Sequence, residues 1–113
     1  MSYPSNDLTF NQLQDRAVSY SKRNFGEHYG SGYRNLIGVM EELGELAHAQ
    51  LKGEQNIKHT QEEILLMKID AVGDILIFLA NYCDSQGLAM GDCVLSALNE
   101  IEKRDFVKNQ ITG

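Results

Sequence analysis

Residues 60–84 read TQEEILLMKIDAVGDILIFLANYCD. Wound as a helix, this segment is apolar on nearly every side, and such a helix belongs in the interior of a protein. At about 100° per residue, four polar residues fall within roughly 40° of one another: Glu63, Asp70, Asp74 and Asn81. We therefore expect a central helix that carries a narrow, mostly acidic line into the protein interior.

The preceding segment brings acids of its own, Glu41-Glu42-Leu43-Gly44-Glu45. Glu42 and Glu45 are three residues apart and share a helix face, and the small residues Gly38 and Ala49 beside them allow a second helix to approach closely. Buried carboxylates without a cation cost several kcal/mol each. Two helices that present carboxylates to one space therefore predict a hard divalent cation, Mg²⁺ or Mn²⁺, among oxygen ligands.

A solvated acidic surface is the alternative reading of these clusters. The pattern at residues 41–45 is ordinary on an exposed helix face. A capping box with Thr60 explains Glu63. No cap explains Asp70 or Asp74, and Asp74 leads directly into an apolar run, so the residues alone leave both a metal site and a solvated surface open.

Helical periodicity without any strand pattern predicts an all-α, four-helix bundle. The expected helices cover residues 9–25, residues 35 or 36 to 52, residues 60 to 84 or 85, and residues 91 to about 106. Gly53 is expected to cap the second helix. The glycine-rich residues 26–33 predict a loop whose tyrosines, Tyr29 and Tyr33, either stack on a nucleobase or anchor the loop to the core.

Length and composition limit the classes of function. The 113 residues predict a single domain, 1–113, with loose tails at 1–7 and 107–113, and an active site in so small a chain favours a homodimer or homotetramer. The net charge of −6 argues against a nucleic acid polymer as partner. Two cysteines, no signal peptide and no apolar run of membrane-spanning length predict a cytoplasmic protein without membrane contact.

The ordered pair of acid motifs, Glu41-Glu42-x-x-Glu45 and then a cluster running through Asp74 into Ile-Leu-Ile-Phe-Leu, resembles the MazG-like all-α nucleoside triphosphate pyrophosphohydrolases. Their pattern is EExxE followed by ExxD. The resemblance covers about residues 36–106, and the end of the chain looks like members seen in phages and mobile elements. It implies a Mg²⁺-dependent hydrolase that cleaves a nucleoside triphosphate, or its deoxy form, between the α- and β-phosphates to give the monophosphate and pyrophosphate.

By this resemblance, the metal ligands are Glu42, Glu45 and Asp74, with Asp70 as a further ligand, and Glu41 assists catalysis beside Glu42 and Glu45 by orienting the attacking water or binding a further ion. One departure from the family pattern is that Ala71 stands where the family has glutamate. Asp70 precedes it by one residue and still shares a helix face with Asp74.

Three further residues are candidate substrate-binding groups. Lys103 and Arg104 near the end of the last helix are expected to hold phosphate oxygens, with helix capping as the alternative. Asn81 is expected to hydrogen-bond the sugar or base, since an amide in an apolar helix needs a partner. Two rival functions stay open: a non-catalytic nucleotide-binding or oligomerisation module of the same superfamily, and a related hydrolase acting on another pyrophosphate such as a phosphoribosyl-ATP.

Overall fold

The computed structural model describes residues 7–27, 29–30, 32–56 and 58–104. Within these ranges the chain forms four helices and no strand: α1 (Phe10–Phe25), α2 (Gly32–Gln55), α3 (Gln61–Ser85) and α4 (Met90–Glu102). The all-α prediction is thereby confirmed. No helix in the described ranges is long and apolar enough to span a membrane. The tails predicted at 1–7 and 107–113 lie outside the described residues, apart from Asp7.

Two helices begin at capping boxes, and the one at the start of α3 is the box that the sequence predicts. The Thr60 hydroxyl accepts a hydrogen bond from the Glu63 backbone at 3.1 Å, and the Glu63 carboxylate accepts one from the Thr60 backbone at 3.0 Å. Thr9 and Gln12 form the same reciprocal pair at the start of α1. Each box satisfies two of the backbone N–H groups that a helix start leaves free.

Three predicted boundaries are wrong. The second helix starts at Gly32 rather than at residue 35 or 36, and it does not end at Gly53 but continues to Gln55. Asn56, with φ 56°, takes the left-handed conformation that follows the helix. The last helix ends at Glu102 rather than near residue 106; residues 105 and 106 lie outside the described residues.

α2 and α3 form an antiparallel hairpin held at close approach by small residues. A Cβ built on Gly38 would lie 2.6 Å from the Phe78 ring, and one built on Gly53 would lie 3.1 Å from the Ile64 side chain. Ala49, between them, is completely buried. Both contacts fit the same register of the two helices. Because antiparallel helices have the same rise per residue, the numbers of two residues that face each other add up to a constant, here about 116.

The core of the chain lies at the C-terminal half of α3, where α1 and α4 pack against it. It is a small cluster of residues from three helices, with Leu13 and Leu79 packed against it: Ala17, Ala80, Cys83 and Met90. Gln14 fastens the start of α4, since its amide donates to the Leu88 carbonyl and accepts from the Met90 backbone, both at 2.8 Å. In the described residues α2 contacts α3 only.

The prediction that α3 is interior along its whole length is wrong for the chain on its own. Its N-terminal half is covered mainly by α2, so the apolar residues on its far side remain open. Seven large side chains of α2 and α3, between 37% and 72% exposed, form what we term the apolar face: Met40, Leu43, Leu51, Leu65, Ile69, Val72 and Leu76. The radius of gyration, 17.7 Å, exceeds the roughly 13 Å of a compact chain of this length.

Candidate functional site

The carboxylates of the two acid motifs line one open pocket of about 600 Å³ between α2 and α3. Its lining includes five acidic residues: Glu41, Glu42, Glu45, Asp70 and Asp74. The hairpin register explains the convergence, because it sets Glu42 opposite Asp74 and Glu45 opposite Ala71. The prediction that the two motifs face a shared space is therefore met.

The pocket is strongly negative. Partial desolvation, followed by repulsion from Glu45 and Asp74, raises the pKa of Glu42 above its ordinary value. A hydrogen bond with Glu45 and the charge of Glu41 act in the same direction. Among the described residues, no lysine or arginine lines the pocket; His48 is its one basic residue. In the described part of the chain, the negative charge of the site thus has no lysine or arginine beside it in the pocket.

The acids do not lie in a dry interior, and this corrects the sequence prediction. Glu41, Glu45, Asp70 and Asp74 are exposed, and Glu42 is partly buried. The reason is the same as for α3 as a whole: one neighbouring helix cannot enclose both sides of another. The acidic side chains are consequently free to rotate, and water reaches all of them.

The donor set fits a hard cation in its chemistry. Carboxylate oxygens are the preferred ligands of Mg²⁺ and Mn²⁺. As the side chains stand, no group of three histidine, cysteine, aspartate or glutamate residues in the described part of the chain is close enough to hold a metal ion. The carboxylates would therefore have to come closer together than they stand in this structure to share a cation.

Ala71 marks the point where the pocket departs from the ExxD pattern. It is buried, 3% exposed, and sits in register opposite Glu45 at the floor of the pocket. Asp70 lies one residue earlier, at the exposed side of the same pocket. A carboxylate at position 70 therefore approaches the pocket from its solvent side, whereas one at position 71 would approach from its floor.

A second cleft, of about 850 Å³, adjoins the acidic pocket. It lies between α1 and α3 and shares Asp74 with the pocket. Arg16, Tyr20 and Arg23 line it, and the Arg23 guanidinium stands 5.8 Å from the centre of the Tyr20 ring. The cleft thus combines two cations and a half-exposed aromatic ring, 52% exposed, beside the acids.

The sequence analysis did not identify these three residues. A usable signal was present, since Arg16, Tyr20 and Arg23 follow the i, i+4, i+7 spacing of one helix face. In the structure this face lines the cleft beside Asp74 and is not part of the core.

The structure places Asn81 away from both pockets. It is 5% exposed, and its amide nitrogen donates a 2.9 Å hydrogen bond to the Ser21 hydroxyl on α1. Its amide oxygen and the Asn35 amide nitrogen, both buried, have no hydrogen-bond partner among the described residues. The expectation of a polar partner is met by Ser21, and contact with a sugar or base is not supported.

Lys103 and Arg104 also lie outside both pockets. Lys103 follows the last residue of α4, and its amine pairs with Glu100 at 3.2 Å on the exposed surface. Its backbone N–H donates to the Asn99 carbonyl, which is a capping contact. The capping alternative therefore describes Lys103 better than phosphate binding does, and Arg104 lies next to it, exposed.

The glycine-rich connection between α1 and α2 is anchored by Tyr29. Its hydroxyl donates a hydrogen bond to Asp84 near the end of α3, and Lys22 lies 6.0 Å from the centre of its ring. Of the two roles predicted for Tyr29, the structure supports anchoring. Tyr33 is 80% exposed, and Ser31 lies outside the described residues.

Comparison with known proteins adds no relative. No protein-family model, no curated protein and no solved structure matches this chain. The resemblance to the MazG-like enzymes consequently depends on the two acid motifs and on their order along the chain.

Proposed function

We propose that this protein is a Mg²⁺-dependent nucleoside triphosphate pyrophosphohydrolase, which converts a nucleoside triphosphate or its deoxy form to the monophosphate and pyrophosphate. One observation carries the proposal: five carboxylates from two antiparallel helices surround a single open pocket that no lysine or arginine lines in the described part of the chain. Uncompensated carboxylates at this density favour a divalent cation, and a triphosphate is a natural partner of such a cation.

Glu42, Glu45 and Asp74 would hold Mg²⁺, or Mn²⁺ in its place, with Asp70 as a further ligand from the solvent side. When bound, the cation would lower the pKa of the attacking water and offset the charge of the phosphates. Glu41, exposed at the rim, is free to orient that water and to accept its proton. Because Glu42 is the acid with the raised pKa, it has the most to gain from a cation beside it.

The second cleft suits the remainder of a nucleotide. With the phosphates at the acidic pocket, the sugar and base extend past Asp74 toward Tyr20, whose exposed ring offers a stacking surface. Arg16 and Arg23 line this same cleft, so they would bind phosphate oxygens on the side of the triphosphate that leads past Asp74 to the sugar. We assign substrate binding to these three residues in place of Asn81, Lys103 and Arg104.

Two further properties belong to the proposal. The free thiols of Cys83 and Cys93 suit a reducing, cytoplasmic compartment. The large exposed apolar area suits a homodimer or homotetramer.

The second candidate is a non-catalytic module that binds a nucleotide or another copy of itself. Ala71 in place of a glutamate favours it, as does the wide spacing of the acidic side chains in the described residues. Such a module would be stabilised by Mg²⁺ and nucleotide but would release no pyrophosphate.

The test is release of pyrophosphate from a panel of ribo- and deoxyribonucleoside triphosphates and a phosphoribosyl-ATP, in Mg²⁺ and in EDTA. We expect Mg²⁺-dependent release from nucleoside triphosphates, and its loss in Glu45→Gln. Glu54→Gln is the matched control, because Glu54 is an exposed acid of the same helix outside the pocket. Thermal stabilisation without turnover would favour the binding module, and normal turnover by Glu45→Gln would show that the site is assigned wrongly.

A further inference from the structure

The two cysteines of the chain lie on either side of the turn that joins α3 to α4. Cys83 is in the last turn of α3, and Cys93 is in the first turn of α4. The connection folds back on α3, since the backbone N–H of Leu88 donates to the Cys83 carbonyl at 2.8 Å. Met90, the first residue of α4, packs in the same core cluster as Cys83. Cys93 follows Met90 by three residues and shares its helix face, so it lies on the side of α4 that meets α3.

The two thiols are neighbours across this junction. Both are free. Burial raises the pKa of the Cys83 thiol, and the charge of the Cys93 sulfur and a hydrogen bond with it raise that pKa further. The described residues bring no third histidine, cysteine or acid close enough to make the pair a metal site. The pair is therefore available for chemistry between its own two sulfurs.

The two thiols differ in their access to solvent. Cys93 is exposed, whereas Cys83 is buried, 8% exposed. The thiolate is the reactive form of cysteine, and a buried thiol with a raised pKa resists ionisation. An oxidant that arrives from solvent consequently meets Cys93 first, and Cys83 stands beside the product.

α4 is the helix that a bond at this junction would affect. Its N-cap residue, Ala89, makes no side-chain hydrogen bond to the helix start, whereas α1 and α3 begin at capping boxes. In the described part of the chain α4 contacts α1 and α3 only. Three apolar residues of its later turns are between 45% and 57% exposed: Leu95, Leu98 and Ile101. The attachment of α4 thus depends on its first turn, where Gln14 accepts the Met90 backbone N–H and where Cys93 lies.

We propose that Cys83 and Cys93 form a reversible disulfide in the folded chain when a low-molecular-weight disulfide such as glutathione disulfide is in excess, and that this bond fastens α4 to α3. The Cys93 thiolate attacks one sulfur of the oxidant, which forms a mixed disulfide and releases one glutathione. The Cys83 sulfur then attacks the Cys93 sulfur, and the second glutathione leaves with the Cys83 proton. Two electrons pass to the oxidant, which becomes two thiols, and excess reduced glutathione reverses both steps.

Titration of the full chain with mixtures of reduced and oxidised glutathione tests the bond, read by intact mass and peptide mapping after an acid quench. We expect the wild type to lose two hydrogen atoms and to join Cys83 to Cys93 within one chain. Cys83→Ala should stop at the mixed disulfide on Cys93, and Cys93→Ser should react little because its remaining thiol is buried. A wild type that stops at the mixed disulfide, or that cross-links two chains, overturns the proposal.

The same titration in urea, on the unaltered protein, separates contact in the fold from nearness in the sequence. An unfolded chain also closes so short a loop at little cost in entropy. If the fold holds the two sulfurs together, closure should be at least about tenfold more favourable in the folded chain than in urea. Closure that is equal or weaker in the folded chain would show that the helices hold the sulfurs apart, and it contradicts the proposal.

Hydrogen exchange of the α4 backbone amides tests whether the bond fastens the helix. We expect exchange in α4 to slow when the disulfide closes, because local opening of this helix then requires movement of α3 as well. The amides of α2, which does not contact α4 in the described residues, are the internal reference and should keep their rates. Exchange in α4 that is the same in the reduced and oxidised chains would refute the fastening. The proposal does not rest on the enzymatic function, because neither experiment contains substrate or metal.

Discussion

The two halves of α3 are built from the same kinds of residue but are used differently. The C-terminal half packs against three helices: Phe78 meets Gly38 of α2, Asn81 bonds Ser21 of α1, and Cys83 clusters with Met90 of α4. The N-terminal half is covered mainly by α2 and carries Asp70 and Asp74 into an open pocket. The packed core and the candidate site are therefore separated along one helix, and we expect substitutions in the two halves to have different consequences.

The largest expected effect is on activity, from Asp74→Asn in the open half. The substitution preserves shape but removes a charge on the pocket, so we expect turnover to fall about 1,000-fold, equivalent to about 4 kcal/mol in the barrier. The free energy of unfolding should change by less than about 0.5 kcal/mol, since the side chain is exposed. Pyrophosphate release and urea denaturation measure the two quantities, and a fully active variant would exclude Asp74 from the site.

The reverse isosteric change, Asn81→Asp, probes the packed half. Asn81 is buried, and the donor of its bond to Ser21 would become a carboxylate without a cation nearby. We expect the free energy of unfolding at neutral pH to fall by about 3 kcal/mol or more. Urea denaturation followed by circular dichroism measures the change. An unfolding midpoint equal to that of the wild type would mean that water reaches this position and that the packed half is not closed.

Glycine substitutions in α2 test how closely the hairpin packs. Gly38→Ala places a Cβ 2.6 Å from the Phe78 ring, which forces the helices apart and should cost about 2 kcal/mol. Gly44→Ala meets nothing within 4 Å and should stabilise the helix by about 1 kcal/mol through its intrinsic propensity. Thermal unfolding of both variants gives the comparison. Equal effects of the same sign would contradict the register that aligns the acids.

The smallest expected effect is a pH dependence centred on Glu42. Desolvation and, after it, repulsion from Glu45 and Asp74 raise its pKa in the folded chain above the ordinary value of 4.5, so the folded state holds this proton more tightly than the unfolded state. The metal-free protein should therefore gain stability as pH falls through the raised pKa toward 4.5, and lose that gain above it. Melting curves in EDTA for wild type and Glu42→Gln measure this.

The Glu42→Gln variant should lack this gain in stability at low pH, and parallel melting curves for the two proteins would show that Glu42 is not repelled by its neighbours.

Glu63 provides the opposite case on α3. Its bonds to the Thr60 backbone and side chain lower its pKa, so its contribution is present above its unfolded pKa and is lost as pH falls through the lowered value.

Local features of the fold could be predicted from the sequence because their causes are local. Each capping box lies within four residues, so Thr9 and Thr60 mark helix starts wherever the helices pack. Gly38 and Ala49 indicated a close helix contact for the same reason. The two acid motifs could be placed on facing helices because the helical period alone sets which side of each helix they occupy.

What could not be predicted is which surfaces are covered. A mostly apolar segment such as residues 64–80 does not say whether its neighbours come from the same chain or from another, so the burial expected for Asp70 and Asp74 was wrong for one chain. The role of Arg16 and Arg23 depends on how α1 packs against α3, which the helical spacing of α1 does not contain. The sequence predicted that Asn81 needs a hydrogen-bond partner, but it did not identify Ser21 as that partner.

Binding of Mn²⁺, followed by isothermal titration and by the electron paramagnetic resonance signal of the free ion, tests most directly whether carboxylates of both helices hold one cation. The wild-type chain should bind, and Glu42→Gln on α2 and Asp74→Asn on α3 should each weaken binding at least about tenfold, with Glu54→Gln unchanged. Absence of binding, or binding that neither pocket substitution weakens, would contradict the account.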